Sequence, residues 1–208
     1  MEPDRGHSDL AQAPDSLVSA PTRARQIHGS LVEVRGLGVL ILGRSGVGKS
    51  ECVIELVRRG QRLVADDVVR LRTSPDGRTL IGWSPEHIRH YVEVRGLGLL
   101  CVADLFGREA TLDECEVAFI VRLAEPRPGA AFDRIGLERR RETLLGVDVP
   151  MVELPVQPGS NLATLVDLAI RDWQLRLRGV NAARRLDERL RAVGGTVEQK
   201  AAAMGEGE

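Results

Sequence analysis

The stretch GVLILGRSGVGKSECVIELVRRG, residues 38–60, decides the fold. Its apolar run ends at position 42 and is continuous, as expected of a strand that is buried on both faces. Beyond the glycines the period changes, because Val53, Leu56 and Val57 lie three and four residues apart and so share one helix face. The stretch therefore predicts a strand, a glycine-rich loop and a helix, in that order.

The loop between this strand and helix reads GRSGVGKS and satisfies the pattern G-x-x-x-x-G-K-[ST] at every fixed position. Its glycines let backbone N–H groups turn inward around a phosphate, and the start of the following helix adds a partial positive charge. We expect Lys49 to neutralise the terminal phosphates of a nucleotide and Ser50 to ligate Mg²⁺. The predicted nucleotide-binding residues are Gly43, Arg44, Ser45, Gly46, Val47, Gly48, Lys49 and Ser50.

The lysine of this loop is unusual for the chain. Lys49 and Lys200 are the only lysines among 29 basic residues, so the other 27 are arginines. A compact ammonium is thus kept in a sequence that otherwise favours guanidinium groups, which do not replace it in a tight phosphate site. The bias indicates that position 49 requires a lysine.

An adjacent acidic pair, Asp66 and Asp67, follows the apolar run at 63–65. A strand there, reached from the first strand by a helical crossover, would end beside the loop. Because successive strand residues point to opposite faces, we expect only one of the two carboxylates to face the phosphate. Such a carboxylate either holds Mg²⁺ through water or accepts a proton from an attacking hydroxyl.

The remaining pattern completes an α/β fold, with a mixed sheet, flanking helices and C-terminal helices. The heptapeptide VEVRGLG occurs twice and predicts two similar glycine-broken β segments, at 32–38 and 92–98. Further strands are expected at 80–83, 116–122 and 149–156.

Two helices are predicted to end the fold. Ser160 or Asn161 can cap the first, which Gly179 ends, and the second is expected at 182–193. The domain boundaries that follow are a disordered tail at 1–25, a catalytic domain at 26–179, and a C-terminal helix with a disordered end at 180–208.

Composition makes some partners and locations of the protein less favoured than others. The net charge is −1 and the 208 residues include only six aromatic ones, two Trp, one Tyr and three Phe, so nucleic acid is not a favoured partner. No apolar run reaches the ~18 residues of a membrane span, and the N-terminus is acidic and polar, which favours a cytoplasmic protein. The three cysteines form no CxxC pair and are interpreted as small buried hydrophobic residues.

Taken together, six segments of the chain resemble the C-terminal catalytic domain of bacterial HPr kinase/phosphorylase. The glycine-rich loop is generic, whereas the early Asp pair and VEVRGLG are specific to that family. The segments are QIHG (26–29), GRSGVGKS (43–50), RLVADD (62–67), VEVRGLG (92–98), DRIGLE (133–138) and PVQPGSN (155–161).

This resemblance implies a P-loop domain related to phosphoenolpyruvate carboxykinase. It also implies a serine kinase that uses ATP and Mg²⁺ to phosphorylate HPr, the phosphocarrier protein of the sugar phosphotransferase system. Members of the family also remove that phosphate with inorganic phosphate, releasing pyrophosphate, and assemble as hexamers. The expected partners are therefore HPr and further copies of the chain.

The resemblance also assigns roles to residues. Asp67 would accept the proton in the kinase direction, with Asp66 as the less favoured candidate, and His28 would orient the base or the phosphate. Arg134 would stabilise charge on the transferred phosphoryl group. The catalytic set implied is His28, Lys49, Asp66, Asp67 and Arg134, and the metal ligands implied are Ser50 and Glu93.

Two departures from the family pattern matter. Typical members carry a separate N-terminal domain, so this chain is expected to be a truncated form. The loop PGRN, which is tied to the phosphorylase reaction, reads PGSN here, with Ser160 in place of an arginine. Two alternatives stay open: a kinase of the same fold that acts on another protein or a small molecule, and a non-catalytic nucleotide sensor.

Overall fold

The computed structural model describes residues 24–125, 140–157 and 159–192. In these residues nine strands form one large mixed sheet, and two more form a separate hairpin. The strands are β1 Ala24–His28, β2 Ser30–Val34, β3 Leu37–Leu42, β4 Arg62–Ala65, β5 Val68–Thr73, β6 Leu80–Trp83, β7 Tyr91–Val94, β8 Gly98–Cys101, β9 Glu114–Ala124, β10 Arg140–Leu144 and β11 Val147–Pro155. The helices are α1 Lys49–Arg58, α2 Val102–Phe106, α3 Leu162–Leu177 and α4 Ala182–Arg191.

The unit predicted from the decisive stretch is present. Strand β2 pairs antiparallel with both β3 and β4, so β3 and β4 run parallel on either side of it. Helix α1 connects these two parallel strands, which confirms the predicted crossover. Its N-terminus and the ends of β3 and β4 therefore lie at one edge of the sheet.

The large sheet divides at β9. The first residues of β9 pair antiparallel with β6, its later residues pair parallel with β11, and its other edge pairs with β3. The branch β6-β5-β1 consequently separates from the branch β11-β10, and an apolar layer fills the space between the two parts of the sheet.

Two hydrophobic layers follow from the alternation of side chains along β2 and β3. On one face Val32, Val39 and Ile41 pack against the helices. On the opposite face Leu31 and Leu40 pack with residues from β5 and β6. Each strand is thus covered on both sides, which is why its sequence is continuously apolar.

The C-terminal helices confirm the predicted caps. The Asn161 side chain accepts a hydrogen bond from the backbone N–H of Thr164, so Asn161, rather than Ser160, is the N-cap of α3. Gly179 has a φ of 79°, as expected of a residue just beyond a helix. Helix α4 ends at Arg191, two residues before the predicted end.

Some elements differ from the sequence-based expectation. Strand β1 begins at Ala24, inside the predicted tail, whose residues 1–23 lie outside the described part of the chain. Strand β10 and the five-residue helix α2 were not predicted, because each is too short and too polar or irregular to give a clear period.

All three cysteines are free thiols. Cys52 is buried in the layer between sheet and helices, whereas Cys101 and Cys115 are only partly buried. Burial raises the pKa of the Cys52 and Cys115 thiols to about 12. Of the described helices, none has both the length and the apolar character that crossing a bilayer requires.

Candidate active site

A cleft opens where β3, β4 and α1 meet at the edge of the sheet. The glycine-rich loop forms one wall, and Gly43 is required there because a Cβ at this position would lie 2.9 Å from the Leu123 carbonyl oxygen. Helix α1 begins at Lys49, so its unpaired N–H groups face the cleft. The cleft is lined by His28, Ser45, Gly46, Gly48, Lys49, Ser50, Glu51, Asp66, Asp67, Glu93 and Arg95.

Lys49 is 6% exposed, and its side chain reaches back over the loop. Its Nζ donates to the carbonyl oxygens of Gly43 and Arg44, both at 3.0 Å, and lies 3.0 Å from Nε2 of His28. Burial lowers the pKa of the Lys49 ammonium, and the charges of Asp66 and Asp67 oppose that shift. A phosphate entering the cleft would replace these weaker acceptors.

His28 connects the lysine to one of the two aspartates. Its Nδ1 lies 2.9 Å from Oδ1 of Asp67. Because an ammonium can only donate, Nε2 accepts from Lys49, so Nδ1 carries the hydrogen and donates it to the Asp67 carboxylate. Asp67 is 66% exposed at its side chain and therefore accessible to a substrate.

Asp66 lies in a different environment, with 5% of its surface exposed. Ser30 Oγ donates to its Oδ1 at 2.5 Å and Ser50 Oγ donates to its Oδ2 at 2.8 Å. Burial raises the pKa of the Asp66 carboxyl group, while the two hydroxyl hydrogen bonds lower it.

The expectation that only one of the two carboxylates faces the phosphate stays a prediction, but the strand alternation on which it was based does not hold here. Both aspartates line the cleft, because strand β4 ends at Ala65 and the pair lies in the bend before β5. Asp67 has a φ of 64° there, so the alternation of side chains along a strand does not apply.

The hairpin β7–β8 supplies another wall of the cleft, beside α1. Glu93 and Arg95 both line the cleft, and a guanidinium nitrogen of Arg95 lies within 3.1 Å of a Cβ built on Gly46. Sequence reasoning named Glu93 and missed Arg95. The signal was available, because residues two apart on an extended segment share a face.

Other predicted residues lie elsewhere. Gly43, Arg44 and Val47 line a second, larger cleft of about 780 Å³ on the other side of His28, where the exposed Arg44 side chain pairs with Glu125 at 3.1 Å. Arg134 lies outside the described residues. Ser160 donates its hydroxyl hydrogen to the carbonyl oxygen of Gln157 at 2.7 Å.

The oxygen atoms of the side chains around Ser50 are of the kind that a hard cation binds. The described part of the chain holds no cluster of three or more His, Cys, Asp or Glu side chains that would enclose a metal. However, Mg²⁺ commonly keeps several waters and takes one or two protein oxygens together with substrate phosphates. The hydroxyl of Ser50 and the carboxylates of Asp66 and Glu93 line one cleft and fit that requirement.

The crossover unit and the cleft at the N-terminus of α1 define a P-loop protein of the α/β class. The family described as the HPr Serine kinase C-terminal domain matches residues 20–190, and the chain belongs to this family.

The chain is also similar to individual members. It is 47% identical over 171 residues to an HPr kinase/phosphorylase of Geobacillus thermodenitrificans and 46% identical over 171 residues to one of Bacillus licheniformis. Each comparison covers 82% of this chain and 54% of the relative, so the chain spans about half the length of these curated relatives.

A solved structure has the same fold. The HPr(Ser) kinase/phosphatase from Coxiella burnetii superposes with a TM-score of 0.68 at 31% identity, over 74% of this chain and 99% of that one. This likeness supports the expected mixed sheet with flanking helices around a P-loop.

Proposed function

We propose that this protein transfers the γ-phosphoryl group of ATP to a serine hydroxyl of the phosphocarrier protein HPr. The observation that carries the proposal is the contact of His28 with both Asp67 and Lys49, at 2.9 and 3.0 Å. It joins an exposed carboxylate to the cation of a phosphate-binding loop. The substrate HPr comes from the names of the relatives, which are HPr kinase/phosphorylases.

In this proposal Asp67 accepts the proton of the attacking hydroxyl. The hydrogen on Nδ1 of His28 fixes the orientation of the carboxylate, and the side-chain exposure of 66% leaves a path for a serine of another protein. A protein that only sensed nucleotide would gain nothing from a carboxylate held in this way.

At the end of the cleft that is proposed to bind the phosphates, cationic groups neutralise the negative charge of the nucleotide. Lys49 turns from the loop carbonyls to the terminal phosphates, and Arg95 approaches them from the hairpin β7–β8. A bound Mg²⁺ would be held by Ser50 and Glu93 and would neutralise charge on the β- and γ-phosphates. Arg134 keeps its proposed role toward the transferred group.

The reverse reaction uses the same groups. With phosphoserine in the cleft and inorganic phosphate as the attacking group, the serine oxygen leaves with a proton from Asp67 and pyrophosphate is released. Ser160 stands where the family pattern has an arginine, and its hydroxyl bonds within its own loop. We therefore expect phosphorolysis to be weaker than the kinase reaction.

Labelled ATP incubated with purified protein and HPr tests the proposal. We expect label on a serine of HPr, dependent on Mg²⁺. Asp67→Asn should lower the transfer rate at least ~100-fold with ATP affinity kept, the usual scale for a general base. Bound ATP with no label on HPr, or a larger loss of transfer in Asp66→Asn than in Asp67→Asn, would contradict the assignment.

We also infer a homo-oligomer that acts in the cytoplasm. Leu168, Leu175 and Leu177 of α3 are 54%, 46% and 63% exposed, and burial of these side chains between copies would stabilise an oligomer. The resemblance predicts a hexamer, and light scattering after gel filtration would measure the mass directly.

A further inference from the structure

A hydroxyl group behind the cleft has no part in the proposed chemistry. Ser30 is the first residue of β2, between the strand that enters the loop and the strand that leads to the aspartates. It is fully buried, and its Oγ donates to Oδ1 of Asp66 at 2.5 Å. It does not line the cleft, so it reaches any ligand only through Asp66.

The two oxygens of the Asp66 carboxylate have different partners. Oδ1 accepts from Ser30, and Oδ2 accepts from Ser50 at 2.8 Å. Because Asp66 is only 5% exposed, water does not readily replace either donor, and an unpaired buried carboxylate oxygen is costly. The bond from Ser30 therefore holds the plane of the carboxylate and directs Oδ2 toward α1.

That direction matters for Ser50. A serine hydroxyl has one hydrogen and two lone pairs. With the hydrogen given to Asp66, both lone pairs of Ser50 remain for a cation. If the carboxylate turned, the Ser50 hydroxyl would lose the acceptor that orients it.

We propose that Ser30 is a positioning residue, which orients the Asp66 carboxylate and thereby directs the lone pairs of Ser50 toward the Mg²⁺ of a bound nucleotide. The proposal rests on the nucleotide binding put forward above. It predicts that the contribution of Ser30 appears in the metal-dependent part of nucleotide affinity rather than in affinity as a whole.

The chain offers a matched control. Ser84 is likewise buried, at 1% exposure, and its Oγ donates to the backbone carbonyl oxygen of Pro85 at 3.2 Å. It does not line the cleft. Ser30→Ala and Ser84→Ala each remove one buried hydroxyl, but only the first removes a bond to a side chain of the cleft.

The experiment measures the affinity for ADP by calorimetry, once with Mg²⁺ and once with EDTA. The ratio of the two dissociation constants is the metal-dependent tightening. We expect Ser30→Ala to reduce this ratio about 10-fold, the usual scale for a residue behind a metal ligand, and to change the affinity in EDTA less than twofold. Ser84→Ala should leave the ratio unchanged, and Ser30→Thr, which keeps the hydroxyl, should retain most of it.

If Ser30→Ala does not fold, Ser30→Cys keeps the volume with a weak donor and should show the same reduced ratio. An unchanged ratio in the folded variant, or equal losses with and without Mg²⁺, would overturn the role of Ser30. A wild-type protein that does not bind ADP, or binds it without regard to Mg²⁺, would instead contradict the proposed function.

Discussion

The heptapeptide VEVRGLG forms a turn twice in this molecule, with opposite results. The first copy joins β2 to β3, which are neighbours within the large sheet. There Glu33 accepts two hydrogen bonds from Arg62, at 3.1 and 2.6 Å, and Arg35 bonds to Asp167 of α3 at 2.6 Å. Both charged side chains of the first copy thus tie strands and helix together.

The second copy joins β7 to β8, which form a sheet of their own. Its Glu93 and Arg95 line the cleft, while Leu97 and Leu99 are 73% and 66% exposed. The residue types that fasten the fold in one copy line the cleft in the other. The two copies also close differently, because Val34 pairs with Leu37 in the first whereas Val94 pairs with Gly98 in the second. Identical local sequence therefore sets neither the turn nor the role of its charges, and the surrounding structure decides both.

The largest difference is expected between the two glutamates. Glu93→Gln should lower Mg²⁺-dependent transfer to HPr at least about 100-fold, because it removes a charge proposed to hold the metal. Glu33→Gln should leave transfer unchanged and lower the free energy of unfolding by about 1 kcal/mol, since it weakens a partly exposed ion pair. Transfer assays and urea unfolding of both variants measure these two effects. Equal transfer rates in Glu93→Gln and Glu33→Gln would contradict the different roles given to the two glutamates.

A second difference concerns the last glycine of each copy, Gly38 and Gly98. Urea unfolding of the alanine variants measures how much each substitution lowers the free energy of unfolding. A Cβ on Gly38 would lie 2.0 Å from the backbone carbonyl oxygen of Glu116, so Gly38→Ala should cost about 3 kcal/mol or prevent folding. Gly98 has open space around it but a φ of 86°, so Gly98→Ala should cost about 1 kcal/mol through strain. A greater loss in Gly98→Ala would show that β7–β8 is packed more tightly than its exposed position indicates.

Alanine substitutions of Arg95 and Arg35 should differ by about one order of magnitude in their effect on the affinity of the protein for ATP. Arg95→Ala removes a guanidinium group from the cleft, and we expect about 10-fold weaker ATP binding, as for one charge-assisted hydrogen bond. Arg35→Ala should not change ATP binding, because its partner is Asp167. Calorimetric titration of the two variants checks this, and a weaker affinity in Arg35→Ala would contradict the assignment.

The smallest effect is expected at Asp66, whose carboxylate accepts a hydrogen bond from Ser30 of β2. Replacing this carboxylate with a neutral amide should increase the stability of the protein. Burial raises the pKa of Asp66, so its contribution to stability is present below the ordinary pKa of aspartate and is lost as the pH rises through the folded-state pKa. Asp66→Asn, measured in EDTA, should therefore have a higher Tm than the wild type at pH 7. The gain should narrow toward pH 4, and a wild type that is the more stable at pH 7 would contradict this sign.

The sequence predicted the parts of the site that depend on neighbouring residues. The spacing of Gly43, Lys49 and Ser50 requires a turn of fixed length between a strand and a helix, so the loop follows from local order alone. The Asp pair was also found, since it comes directly after a buried strand that a crossover places near the loop. These features depend on short-range steric and hydrogen-bonding rules.

The sequence did not predict contacts between distant segments. Nothing near Ser30 indicates that its hydroxyl meets Asp66, and strand alternation does not extend to the Asp66–Asp67 pair because the strand ends at Ala65. Arg95 lay in a segment already recognised, but only the packing of the hairpin brings it to the loop.

By itself, the sequence determined the phosphate loop and the crossover that carries it, because each is fixed by the dihedral preferences and apolar period of contiguous residues. Only the tertiary structure decided which copy of the turn faces the cleft, and which aspartate is buried and which is exposed. Those outcomes depend on side chains that are far apart in the chain and meet only when the sheet closes around its core.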